Sequence, residues 1–415
     1  MFTLITDILF ITISSIVPLI INPFGIDYYY EPKIVIVYFC CCSAILVYLI
    51  YKRKKEIPPL QTKETPQKLI LIYLILVLSS TIFSVDKERS LFGSAFREEG
   101  AIAILCYVII FIFASNYYKF KKIHINILAV SGFIISIYAV SQYFGYDPIP
   151  VDLLRSDYVG QAYSTLGHRN FLGSYLTLLI PILTFAYIYS SNIVYLFVSA
   201  VAFLAVSCTI TRSAWVSVPF YMLVMLIFCV RQKINIKRYF IAALIFTVIF
   251  ISMNSLNTTF HNRAISLKTD VNQTIKNVPD SAGSGRVFIW KRAVTLIADR
   301  PVLGSGPDTF GNVFMKKFQK DVDKFYPNVY FDKAHNEFLQ IAVTTGIPAF
   351  IVYILFLSSL LWKSIKAVKN NVFIIPALCS IVGYNVQAFF NISVVGVAPL
   401  YYLILGIAVS FTKAK

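Results

Sequence analysis

Three short stretches carry side chains whose types suit one chemistry. "FDKAHNEFLQ", residues 331–340, sets His335 and Asn336 at the mouth of a long apolar run, in a chain with only four histidines. In the first turn of a membrane helix the dipole disfavours an imidazolium, so His335 stays neutral and able to accept a proton near pH 7, as a general base must. The same placement also fits a polar residue that simply caps the helix. "TITRSAW" holds Arg212 between two apolar runs. There its fork of donors either grips a lipid phosphate or diphosphate, or snorkels to water and anchors a hairpin. "GSGRVFIW" opens with glycines that permit close approach and places Arg286 at the start of a helical pattern. An ordinary solvated charge fits Arg286 too, and fits its neighbours Lys291 and Arg292 better. His168 in "STLGHRN" has a position like that of His335 but is followed by Arg169, whereas His124 lies among lysines and reads as solvated. Glu98 and Glu99 are adjacent carboxylates without partner ligands, and no HExxH, Walker or GxSxG pattern accompanies them, so neither metal nor cofactor is expected.

Such residues need elements to hold them at one face of a membrane. The chain has 415 residues, 58% hydrophobic and 14% charged, with a mean hydropathy of +0.72. A soluble fold of this length does not need that much apolar surface, which points to an all-α, multi-spanning membrane protein. The net charge of +17 would otherwise suggest nucleic acid, but the basic residues cluster in short loops between apolar runs, where they report topology. Apolar runs of span length are expected near 3–22, 34–51, 69–84, 100–117, 124–144, 171–190, 193–210, 214–230, 238–254, 338–361, 372–390 and 398–411, about twelve in all. The first has Asp7 inside it and no basic segment before it, so it reads as a retained span rather than a signal peptide. With the N-terminus in the cytoplasm, inside segments hold eighteen Lys or Arg and short outside segments hold seven, Arg155 among them, so both termini are expected inside. All seven cysteines fall in apolar runs and read as small hydrophobes.

One polytopic membrane domain, 1–415, is therefore expected, interrupted by a polar segment at 255–337 that this topology puts outside. Val287, Trp290, Val294 and Ile297 recur there at helical spacing, and Pro301 ends that helix. A second loop helix is expected from Pro307, capped by Ser305 or Gly306. The segment holds twelve Lys or Arg against eight Asp or Glu, an excess suited to an anionic substrate.

In order along the chain, "LFGSAFREEG", "STLGHRNFLGSYL", "TRSAW", "GSGRVFIWKRAVTLIADRPVLGSGPDTF" and "AHNEFLQIAVTTGIPAF" resemble the O-antigen ligase and polymerase superfamily, bacterial membrane glycosyltransferases of the cell envelope. The resemblance spans roughly residues 90–350, and its last two stretches are the most specific. It implies a GT-C-like architecture in the cytoplasmic membrane, with Arg212, Arg286 and His335 filling the family's catalytic positions outside the cytoplasm. Asn336, Trp290, His168, Arg169 and Arg97 become candidate substrate-binding residues. Many relatives carry a "GNPN" turn where this chain has "GHRN", so His168 and Arg169 either add a contact or fill a turn. The implied donor is a glycan on undecaprenyl diphosphate, moved without a metal and with inversion onto a hydroxyl of lipid A core, a wall polymer, a protein or another repeat unit. A lipid-linked oligosaccharide flippase is the rival from another class; it would line a central cavity with charges, whereas the charges here gather at one face.

Overall fold

A backbone crossing lipid must satisfy its polar groups internally, so apolar runs of this length fold as helices. In the computed structural model, which describes residues 1–413 apart from 26, 96, 148–161, 267–279, 281, 282 and 284, every described regular element is helical. Arg155 and Lys415 of the charge count lie outside the described residues. We label the helices α1 (Phe2–Leu19), α2 (Glu31–Arg53), α3 (Thr65–Ile82), α4 (Lys87–Phe92), α5 (Ala101–Tyr117), α6 (Lys122–Tyr143), α7 (Arg169–Ser190) and α8 (Ile193–Cys208). After these come α9 (Arg212–Arg231), α10 (Ile236–Leu256), α11 (Arg286–Asp299), α12 (Phe310–Phe325), α13 (Glu337–Thr344), α14 (Ile347–Ala367), α15 (Ile374–Ala388) and α16 (Ala398–Thr412). Eight of them, α1, α2, α3, α6, α7, α9, α10 and α14, are long and apolar enough to cross a membrane. The apolar helices α5, α8, α15 and α16 are shorter, at 15–17 residues.

Helix α7 is the axis of the bundle, buried along nearly its whole length and packed against α8, α9 and α15. Small residues let its neighbours approach, and hydroxyl and amide groups stitch the contacts. Ser380 Oγ donates to the Leu178 carbonyl at 2.7 Å, the Thr177 and Ser217 hydroxyls lie 3.2 Å apart, and Asn391 Nδ2 donates to Ser174 Oγ at 2.9 Å. Helices α5 and α16 pair closely beside it, as do α3 and α14.

A separate apolar cluster holds the loop helices together. It comprises Phe288, Ile289, Ala293 and Leu296 of α11, Phe310, Phe314, Met315 and Val322 of α12, and Ala334 and Val343. The buried stripe of α11 is thus not the expected Val287, Trp290, Val294 and Ile297. Val294 is exposed, because α12 and the chain around Ala334 cover the neighbouring face. Helix α12 begins at Phe310 rather than Pro307, because Asp308 adopts φ +58° and turns its carboxylate inward.

The span expected at 338–361 is two helices. Gly346, at φ +92°, breaks the chain between α13 and α14. The 301–306 turn fills the break: Ser305 N and Gly306 N donate to the Val343 and Thr344 carbonyls at 3.2 and 2.7 Å, and Ile347 N donates to the Pro301 carbonyl at 2.8 Å. Groups left over at both helix ends are thereby satisfied by the loop, which fastens it to the bundle. His124, expected to be solvated, is buried at 3.2 Å from Asp7, which also accepts from Lys121, so the carboxylate inside the first span is paired.

Candidate active site

Three of the sequence candidates stand at the first residue of three different helices: Arg169 on α7, Arg212 on α9 and Arg286 on α11. Each start is enforced locally. His168 caps α7, its Nδ1 accepting from Asn170 N at 3.1 Å. Ile210, at φ +51°, turns the chain into α9, with Thr209 Oγ1 accepting from Thr211 N at 3.2 Å. Gly285, at φ +80°, turns it into α11, and a Cβ there would come within 3.0 Å of the Tyr326 hydroxyl. A helix N-terminus repels a cation, so three arginines at three such positions bring basic side chains and helix N-termini together, an arrangement that favours an anion.

The three helix starts enclose a pocket of about 150 Å³ together with Asn170, Thr211, Ser213, Arg263, Phe331 and His335. Arg212 Nη1 donates to Ser266 Oγ at 3.1 Å, and Arg286 Nη1 to the Gly283 carbonyl at 3.2 Å. The Ser213 hydroxyl is buried at the pocket wall without a hydrogen-bond partner among the described residues, a donor for whatever the pocket takes in.

His335 brings the only imidazole among the lining residues. Burial, then the neighbouring Arg286, push its pKa down to about 4; Arg97 and Lys333 act in the same direction and Asp332 opposes them. The ring is therefore neutral at pH 7, chiefly by burial and the Arg286 charge rather than by the helix dipole alone. An anion entering between the arginines would cancel their field and make the ring more basic when a proton has to be taken.

The remaining candidates stand around the pocket without lining it. Trp290 donates from Nε1 to the Ala334 carbonyl at 3.0 Å and packs on Phe389 and Phe390. Asn336 caps α13, Oδ1 accepting from Leu339 N at 2.9 Å. Arg97 donates to Asp332 at 2.7 Å and lies over the Phe171 ring. Arg263, absent from the sequence candidates, lines the pocket because the helical segment 258–266 folds back over it. Nothing in the spacing of "FHNRAIS" marks that fold-back. Asp321 and Asp323, spaced as a metal-binding pair, diverge on α12 toward Arg292 and Gln319, at 2.9 and 2.8 Å.

Behind the 332–337 segment lies a second cavity, of about 70 Å³, lined by Tyr73, Glu99, Tyr107, Asp308, Lys333 and Glu337 among others. Burial pushes the Glu99 carboxyl up to about 7 against the pull of Lys333, and its Oε1 accepts from the Tyr107 hydroxyl at 2.6 Å.

Residues 197–354 match the family model described as O-antigen ligase. That interval covers Arg212, Arg263, Arg286 and His335, while Arg169 precedes it. An uncharacterized protein of Haemophilus influenzae is 25% identical over 165 residues, which is 39% of this chain and 40% of that relative, so the match spans well under half of either protein. Over that interval this multi-pass helical chain is similar to the O-antigen ligase family.

Proposed function

We propose that the protein transfers a glycan from undecaprenyl diphosphate to an acceptor hydroxyl. The observation that carries this reading is the meeting of Arg169, Arg212, Arg263 and Arg286 with a neutral His335 in one pocket, at three helix N-termini. The acceptor O–H gives its proton to His335 as its oxygen forms a bond to the anomeric carbon. The bond from that carbon to the phosphate oxygen breaks on the opposite side, so the anomeric centre inverts. The lipid diphosphate leaves with the electron pair, and the guanidinium groups stabilise the charge that develops where water is scarce. No metal takes part in this scheme. The accompanying topology has α5, α8, α15 and α16 crossing with the eight longer helices, both termini in the cytoplasm, and the pocket at the outer face of the bacterial cytoplasmic membrane.

The test supplies purified protein in liposomes with lipid-linked oligosaccharide and candidate acceptors: lipid A core, wall polymer, protein, or the lipid-linked glycan itself. Release of undecaprenyl diphosphate together with a glycosylated acceptor is expected, with His335→Ala slower by about 10²–10⁴-fold. Lengthening of the lipid-linked glycan would make the protein a polymerase. Movement of donor between leaflets without any product would replace the reading with transport. Loss of activity on chelation would overturn the metal-free step.

A further inference from the structure

His335 is held in the left-handed region, at φ +49°. A residue with a Cβ keeps that conformation only where its surroundings over-determine it. The surroundings are the five other residues of 332–337, each tied by contacts of its own. Asp332 accepts from Arg97 at 2.7 Å. Lys333 Nζ lies 2.5 Å from Asp308 Oδ1, both side chains almost wholly buried, and Asp308 Oδ2 accepts from Ser94 N and Oγ at 2.5 and 2.8 Å. Ala334 donates through N to Gln340 Oε1 at 2.8 Å and accepts at its carbonyl from Trp290. Asn336 caps α13. Glu337 accepts from the Tyr353 hydroxyl on α14 and the Tyr384 hydroxyl on α15, at 3.2 and 3.1 Å. The side chains of Lys333 and Glu337 enter the second cavity, while that of His335 lines the basic pocket.

We propose that the buried Lys333–Asp308 ion pair, with Glu337 as the second anchor, is a positioning device that turns the 332–337 segment so that His335 faces the basic pocket. This deepens the reading of His335 as the proton acceptor and rests on it. Lys333 and Glu337 fix the segment two residues to either side of the histidine, one against the 94–99 and 305–309 turns, the other against the bundle. A buried ion pair is a specific anchor because its geometry must be met before the desolvation of either charge is offset. An apolar residue in place of Lys333 would pack in many orientations, and the imidazole would lose its aim. The charged groups around that imidazole are Arg286 on α11, Arg97 after α4, Arg212 on α9, Arg169 on α7, Arg263 on the 258–266 segment, and Asp332 and Lys333 beside it.

The test compares wild type, Lys333→Met, Lys333→Arg and the double variant Lys333→Met/Asp308→Leu, which removes both charges of the pair and so leaves neither partner alone. Transfer kinetics and the histidine titration, read by NMR on histidine-labelled protein with four histidines to assign, are followed together. Lys333→Met and the double variant are expected to lose turnover on the order of 10²-fold with donor KM little changed, as displacement of a reacting group by about 1 Å does. The His335 titration should move upward in both, and Lys333→Arg should restore both readouts. Wild-type turnover in the folded double variant, or an unmoved His335 titration, overturns the proposal. The titration also carries the direct loss of the Lys333 charge, so if wild type fails to transfer from the lipid-linked donor, the functional reading falls and the NMR contacts of the His335 ring with Phe331, lost or kept in the double variant, decide for or against the positioning role.

Discussion

The two cavities on either side of residues 332–337 answer different needs with the same kinds of side chain. The inner one binds its polar groups to one another: Lys333 meets Asp308, Glu99 takes a hydrogen bond from Tyr107, and Glu337 takes two from tyrosines. The outer one gathers four guanidinium groups around a neutral imidazole, three of them at helix starts where the backbone dipole opposes them. Side chains that bond to one another hold a framework in place, and basic side chains that converge on a cavity suit an anionic ligand. The same six residues border both, with the Lys333 and Glu337 side chains in one cavity and the His335 ring in the other.

The largest effects are expected at the arginines of the basic pocket. Arg212→Ala and Arg286→Ala should each lower transfer by about 10²–10³-fold if they stabilise the leaving diphosphate. Arg263→Ala should cost roughly tenfold, the worth of one hydrogen bond to a charged group. Initial rates with lipid-linked donor separate these, and an Arg263→Ala protein as fast as wild type would leave only the three helix starts acting on the donor.

The pH profile sharpens the comparison next. The folded His335 pKa lies below its ordinary 6.5, at about 4, so the imidazole keeps its basic form as the pH falls through 6.5. The dependence of kcat/KM on pH, which reports the free enzyme, should stay level from pH 7 to about 5 and fall near 4. A limb at 6.5 would mean that neither burial nor the arginines act on the ring. The linked stability runs the same way: between 6.5 and 4 the unfolded chain binds a proton that the folded protein does not, so stability should decline over that window.

On the framework side, Glu337→Leu leaves two buried tyrosine hydroxyls without their acceptor and should cost about 1–3 kcal/mol of stability. A lowered melting temperature in detergent would register it. The smallest effects belong to the caps. His168→Ala and Asn336→Ala should each cost about 1 kcal/mol, with transfer within a few-fold of wild type. Loss of transfer without loss of stability would move either residue from the framework to the basic pocket.

Much of this was legible along the chain. Apolar length marks a helix without any knowledge of its neighbours, and Arg212 stood out between two apolar runs, Arg286 at the start of a helical pattern and His335 at the mouth of an apolar run. Arg169 stood beside a histidine in a turn, and the structure brings it to the same pocket. Arg263 carried no such mark, since its approach depends on a fold-back more than fifty residues after Arg212. Asp308 read as an acid in the first turn of a loop helix, and Lys333 and Glu337 carried no mark, because burial and pairing are properties of segments that meet rather than of either segment alone.

The sequence by itself determined that the chain is a helical membrane protein with a polar, basic insertion late in its length, because hydropathy and helix-breaking residues act locally. Tertiary structure decided the rest: the break at Gly346, where a distant turn takes over the carbonyls of α13; the buried face of α11, set by α12; and the aim of His335, set by anchors on either side. Each of those needs a partner group from elsewhere in the chain, and which partner arrives is known only once the helices have packed.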